Sequence, residues 1–138
     1  MSNVSLATPP SLQPQPGAPD NWRRFFSFST DHKVIGIQYI VTAFIFFLFG
    51  GLLAMVMRGE QITPEADLVD RTVYNVLFTM HGTIMLFMWT FPMLNGLANY
   101  LVPLMIGARD MAFPRLNAAA FWLVPVFGVI LTASFFVP

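Results

Sequence analysis

Two histidines, a handful of carboxylates and no cysteine carry whatever chemistry this chain of 138 residues can do. Without cysteine there is no disulfide, no thiolate nucleophile, no iron–sulfur cluster and no cysteine zinc site. A metal or haem iron would have to be held by imidazole or carboxylate. His81 is the first candidate, because it stands in the outer part of a long apolar run, TVYNVLFTMHGTIMLF. An ionisable side chain at membrane depth is costly and by default marks function, and neutral imidazole is the commonest biological ligand for metals and haem iron. The competing reading is a histidine hydrogen-bonded to a neighbouring helix as packing glue. Gly82 leaves room for a planar ring beside it, while Met85, Met88, Phe78 and Phe87 follow at helical spacing. That stripe agrees with a cofactor pocket and equally with plain helix packing.

Arg58 and Tyr74 flank the same region. Tyr74 and His81 are seven apart, two helical turns, and so share a face. An arginine and a tyrosine there could hydrogen-bond the polar edge of a cofactor, or simply anchor helix ends at the membrane interface. A second group lies in NYLVPLMIGARDMAFPRLN: Asp110 with Asn99 and Asn117. A carboxylate at a pore mouth collects protons, and amides hold a file of water leading inward; as a bland alternative, Asp110 is a solvated loop charge and the asparagines are caps or turn formers. Glu60, with Asp67 and Asp70 after it, makes an oxygen-rich loop of the kind hard cations favour, but no twelve-residue calcium-loop pattern is present, and solvated charge is the simpler reading.

The elements that must position these residues are membrane helices. Hydrophobic residues make up 56% of the sequence and charged ones 10%, against about 25% charged in soluble domains. Three apolar blocks, at about 34–57, 74–104 and 117–138, each reach the roughly 20 residues that cross a hydrocarbon core, and none shows the polar stripe of a soluble helix. Pro92 and Pro103 are expected to kink or end the second. The expected fold is therefore an all-α membrane protein with three transmembrane helices. Arg23, Arg24, Lys33, Arg109 and Arg115 put the N-terminus and the second loop on the cytoplasmic side, with the acidic first loop outside. Residues 1–21, with five prolines in the first twenty and no lysine or arginine, read as a disordered cytoplasmic tail rather than a signal peptide. A chain that stops at SFFVP, on a membrane helix without an exit segment, is expected to be one end of a larger protein. Zero net charge gives no reason to expect a nucleic-acid partner.

FSTDHKVIG before the first span, VYNVLFTMHGTIMLF in the second and NYLVPLMIGARDMAFPRLNAAAFWL across the second loop together resemble subunit I of A-type cytochrome c oxidase, in the haem–copper oxidase superfamily. The resemblance runs from about Trp22 to Pro138; the proline-rich tail resembles those of bacterial, including cyanobacterial, members. It implies the N-terminal part of a twelve-helix-type bundle (domain 22–138). It implies that His81 is an axial ligand of the low-spin haem, of A type, with Arg58 on its formyl group and Tyr74 at its surroundings. Asp110 then resembles the first carboxylate of the D proton pathway, Asn99 and Asn117 the asparagines that lead inward, and Glu60 an outer cation-site glutamate, although QITPEAD departs from the family pattern there. His32, a membrane thickness from His81, cannot be the second axial ligand. That ligand, the high-spin haem ligand and the copper B ligands are expected later in the full subunit. So are partners: a copper-carrying subunit II, subunit III, cytochrome c and lipid. The implied activity is electron transfer from cytochrome c through the low-spin haem to a haem–copper centre that reduces oxygen to water, with proton pumping, in a bacterial plasma or cyanobacterial thylakoid membrane. The 138 residues alone are not expected to be active. A quinol-using oxidase of the same superfamily and a non-enzymatic three-helix membrane subunit are the competing readings.

Overall fold

In the computed structural model, which describes residues 22–62, 64, 65 and 68–136, every regular element is helical. A 3-10 turn, Arg23–Phe26, precedes α1 (His32–Glu60); then come α2 (Arg71–Thr83), a π-helical segment (Ile84–Thr90), α3 (Phe91–Met105) and α4 (Pro114–Ser134). α2, the π segment and α3 form one unbroken rod, Arg71–Met105, so that three helical rods are long and apolar enough to cross a membrane. The proline-rich tail and Asp67 lie outside the described residues.

Each rod begins where local chemistry favours a start. The Asp31 side chain accepts the Lys33 N–H at 2.9 Å and caps α1, and Asp70 does the same for Thr72 N–H at 3.0 Å at the head of α2. α4 starts on Pro114, whose missing N–H costs nothing in a first turn. α3 stops at Gly107, the glycine with positive φ (69°): Ala108 N–H reaches Pro103 O at 2.9 Å and Gly107 N–H reaches Leu104 O at 3.3 Å, the paired bonds of a Schellman stop.

The prolines expected to break the second span do not break it. The helix widens to i→i−5 pairing over Ile84–Thr90, the Phe91 N–H bonding to Leu86 O, and Pro92 follows directly. A proline ring collides with the carbonyl four residues back in a regular α-helix; the wider turn just before Pro92 relieves that collision. Thr90 Oγ1 donates to Met85 O at 2.9 Å and occupies one of the carbonyls in this segment. The helices also overrun the expected spans by a few residues, except at the end, where α4 closes at Ser134.

α1 is the central element; α2, the π segment and α3 pack along it, and α4 lies against it with a smaller contact. Two buried clusters hold the rods together. Leu53, Leu77, Met80, Ile84 and Met88 form one; Ile35, Tyr39, Ala118 and Phe121 form the other. Elsewhere the large apolar side chains point outward, Leu48, Leu52, Met55, Leu123, Val129 and Ile130 among them. Such a surface suits lipid or further helices and not water.

Candidate functional site

His81 sits on α2, half-buried, with its ring against α1. Its Nδ1 lies 2.8 Å from the carbonyl oxygen of Gly50. A carbonyl only accepts, so Nδ1 carries the ring proton and donates it. A neutral imidazole then presents its lone pair at Nε2. This is how proteins fix a metal-ligating histidine: one nitrogen donates to a carbonyl, which sets the tautomer and ring orientation and raises the basicity of the other. Gly50 is buried, with Met85 and Ile84 against it. A Cβ placed on Gly82 or on Gly51 would meet nothing within 4 Å, and Phe78 and Phe87 are exposed on the same rod. The ligand-capable nitrogen, the open glycine beside it and the apolar surroundings fit a flat, hydrophobic iron macrocycle. Of the methionine stripe, Met88 belongs to the buried cluster and Met85 packs on Gly50, so both are packing residues.

The other residues of this end are held by the turn after α1. Gln61 joins the two rods: its backbone N–H donates to Arg58 O at 3.2 Å and its side-chain amide donates to the Tyr74 hydroxyl at 2.7 Å. Arg58 is exposed in the last turn of α1, where a cation suits the negative end of the helix dipole. It lies about 12 Å further along the helix than Gly50, from the rise per residue. Glu60 Oε2 accepts the Leu68 and Val69 backbone N–H groups at 2.8 and 3.2 Å, so its carboxylate ties down the loop. Among the described residues, no three His, Asp or Glu side chains converge as a metal would require.

The opposite end gathers the proton-handling candidates. Asn99, buried on α3, donates from Nδ2 to Asn117 Oδ1 on α4 at 3.1 Å. Asn117 Nδ2 in turn approaches Met111 Sδ at 3.2 Å, and Met111 N–H donates to Asp110 Oδ1 at 2.8 Å. A continuous line of contacts thus runs from the exposed carboxylate to a buried amide. Asp110 also faces His32: Nδ1 and Oδ1 are 3.5 Å apart, with His32 3% and Asp110 45% exposed. From His32 to Gly50 is eighteen residues of α1, about 27 Å, so the two candidate regions are at opposite ends of the same helix.

The structure therefore brings together Asn99, Asn117 and Asp110, and Arg58 with Tyr74 through Gln61. Three participants were not apparent from the sequence. The Gly50 carbonyl carries no side-chain signal, only the Gly50–Gly51 pair hinting at a close approach. Gln61 is an ordinary loop residue. His32 was considered only as a second axial ligand, and its contact with Asp110 depends on a loop eighty residues away.

Comparisons with known proteins accord with this geometry. Residues 34–138 match the family described as Cytochrome C and Quinol oxidase polypeptide I. The chain is 58% identical over 135 residues to the cytochrome c oxidase subunit 1 of Thermostichus vulcanus, covering 97% of this chain and 24% of that protein. It is 58% identical over 116 residues to that of Synechocystis sp., covering 84% and 21%. It is 50% identical over 110 residues to that of Corynebacterium efficiens, covering 80% and 19%. The chain spans about a quarter or less of the length of these relatives. On the family match and these identities, the chain belongs to the cytochrome c and quinol oxidase polypeptide I family of multi-span membrane proteins.

Proposed function

We propose that this chain forms the part of a terminal respiratory oxidase that supplies one axial ligand to a low-spin haem and the mouth of a proton route. The observation that carries the haem assignment is the His81 Nδ1–Gly50 carbonyl bond, which leaves Nε2 as the free donor atom. When bound, an A-type haem would supply one-electron storage between an electron donor and the oxygen-reducing haem–copper centre, whose ligands are outside these residues. The work of this chain is to hold and isolate. His81 offers Nε2 in a fixed orientation, the apolar faces of α1 and α2 keep water from the site, and Gln61 holds the turn that carries Arg58 and Tyr74. At the other end Asp110 takes up protons at the aqueous surface, and the Asn99–Asn117 pair begins the inward path. The distribution of Lys33, Arg109 and Arg115 supports an inside location for that end, with the membrane being a bacterial plasma or thylakoid membrane. The names of the relatives favour cytochrome c over quinol as donor and imply partner subunits II and III. A non-enzymatic three-helix subunit would need His81 only as a hydrogen-bond donor.

Separation of the two ends is the testable content. In the complete oxidase, Asp110→Asn slows proton uptake and weakens pumping, measured with a pH-indicating dye in liposomes, while the low-spin haem absorbance stays. Wild-type uptake in that variant, or loss of the low-spin haem from it, would refute the assignment.

A further inference from the structure

His32 is an unusual histidine. It is the first residue of α1, is only 3% exposed, and its Nε2 is buried with no hydrogen-bond partner among the described residues. Leaving a buried polar nitrogen unpaired costs of order 1–3 kcal/mol, and a histidine at a helix start serves no capping role, which Asp31 already fills. Its other nitrogen faces two carboxylates at the surface, Asp110 at 3.5 Å and Asp31 at 3.9 Å. The ring therefore bridges two environments, with exposed acid on one side and helix interior on the other. The remaining charged side chains at this end, Lys33, Arg109 and Arg115, are exposed, and Tyr100 on α3 is half-buried; the 3-10 turn carries Arg23 and Arg24 in sequence.

We propose that His32 is a proton-relay residue working beside Asp110, which rests on the reading of Asp110 as the proton-collecting group. Asp110, loaded from solvent, passes its proton to Nδ1; the imidazolium releases the Nε2 proton to the buried side; a half-rotation of the neutral ring restores the starting tautomer. One proton enters and one leaves, and no redox partner is needed. The 3.5 Å separation closes with a small movement of the exposed Asp110 side chain, and such contacts commonly tighten only during turnover. This gives the mouth a second way inward beside the asparagine pair.

The test is proton uptake by the complete oxidase in liposomes, with His32→Asn, His32→Ala and Asp110→Asn compared, and low-spin haem absorbance as the check on folding. His32→Asn keeps polar atoms but cannot pass a proton, and uptake falls about tenfold or more if the relay dominates. His32→Ala is equally slow, and added imidazole restores it, which a purely structural role would not allow. Wild-type uptake in His32→Asn overturns the relay; so does a slow His32→Ala that imidazole does not restore, and so does loss of the haem absorbance from both His32 variants. Wild-type uptake in Asp110→Asn instead removes the underlying reading of the mouth, whatever His32 does.

Discussion

Gly96 and Gly51 offer a matched pair of perturbations that tests how the rods are held. Gly36 on α1 and Gly96 on α3 let two backbones approach closely. A Cβ on Gly96 would lie 2.8 Å from Ile40 Cγ1, 2.9 Å from Gly36 O and 2.9 Å from Tyr39 Cβ. Two of these atoms cannot swing aside, one being backbone and the other a Cβ fixed to it, so α1 and α3 must separate. Gly51, one helix face away, would meet nothing within 4 Å. Replacing either glycine by alanine gains about 1 kcal/mol of helix propensity, and this gain cancels in the comparison. What remains is the overpacking at Gly96, about 1–3 kcal/mol. The assay is unfolding of the detergent-extracted protein with rising dodecyl sulfate, followed by tryptophan fluorescence. Gly96→Ala unfolds earlier than Gly51→Ala by that amount. It also disturbs Asn99, one turn away on the same face, and so slows proton uptake while the haem absorbance, governed about 21 Å away at Gly50, is retained. Equal stability of the two variants would refute the close-approach argument.

Three further outcomes follow from other contacts. Phe46 places its ring on Gly128 where a Cβ would stand, so Gly128→Ala destabilises the α1–α4 contact by about 1–3 kcal/mol, and a double-mutant cycle with Phe46→Ala shows strong coupling between the two. The Asp70 carboxyl is held below its ordinary value of 3.8, chiefly by the Thr72 backbone N–H; its contribution to stability is present above that value and lost as pH falls through the lowered one. Asp70→Asn keeps the cap and flattens this acid-side loss in unfolding curves taken against pH. Glu60→Ala leaves the Leu68 and Val69 N–H groups without their acceptor and speeds hydrogen exchange in the α1–α2 loop, while Glu60→Gln retains part of the protection.

The fold was largely legible because one physical rule dominates it: backbone in lipid must satisfy its own hydrogen bonds, so long apolar runs become helices. The start points followed from Asp31, Asp70 and Pro114, and the stop after α3 from Gly107. Pro92 showed the limit. Proline rules forecast a kink, but a wide turn from Ile84 to Thr90 absorbs the ring and keeps the rod continuous, a compensation that no single residue announces. The candidate site divides in the same way. His81, Asp110, Asn99 and Asn117 stand out by type, since polar groups near membrane depth are expensive. Their partners do not. The Gly50 carbonyl is backbone, Gln61 is set by the turn around it, and the His32–Asp110 contact joins residues that only helix packing brings together.

The account's central claim is that His81 Nε2 is a haem ligand, and electron paramagnetic resonance of the oxidised complete subunit tests it most directly. The wild type gives a low-spin haem signal, and His81→Ala loses it while the protein remains inserted in the membrane. An unchanged low-spin signal in His81→Ala would contradict the claim and leave His81 as a hydrogen-bond donor that only packs α2 against α1.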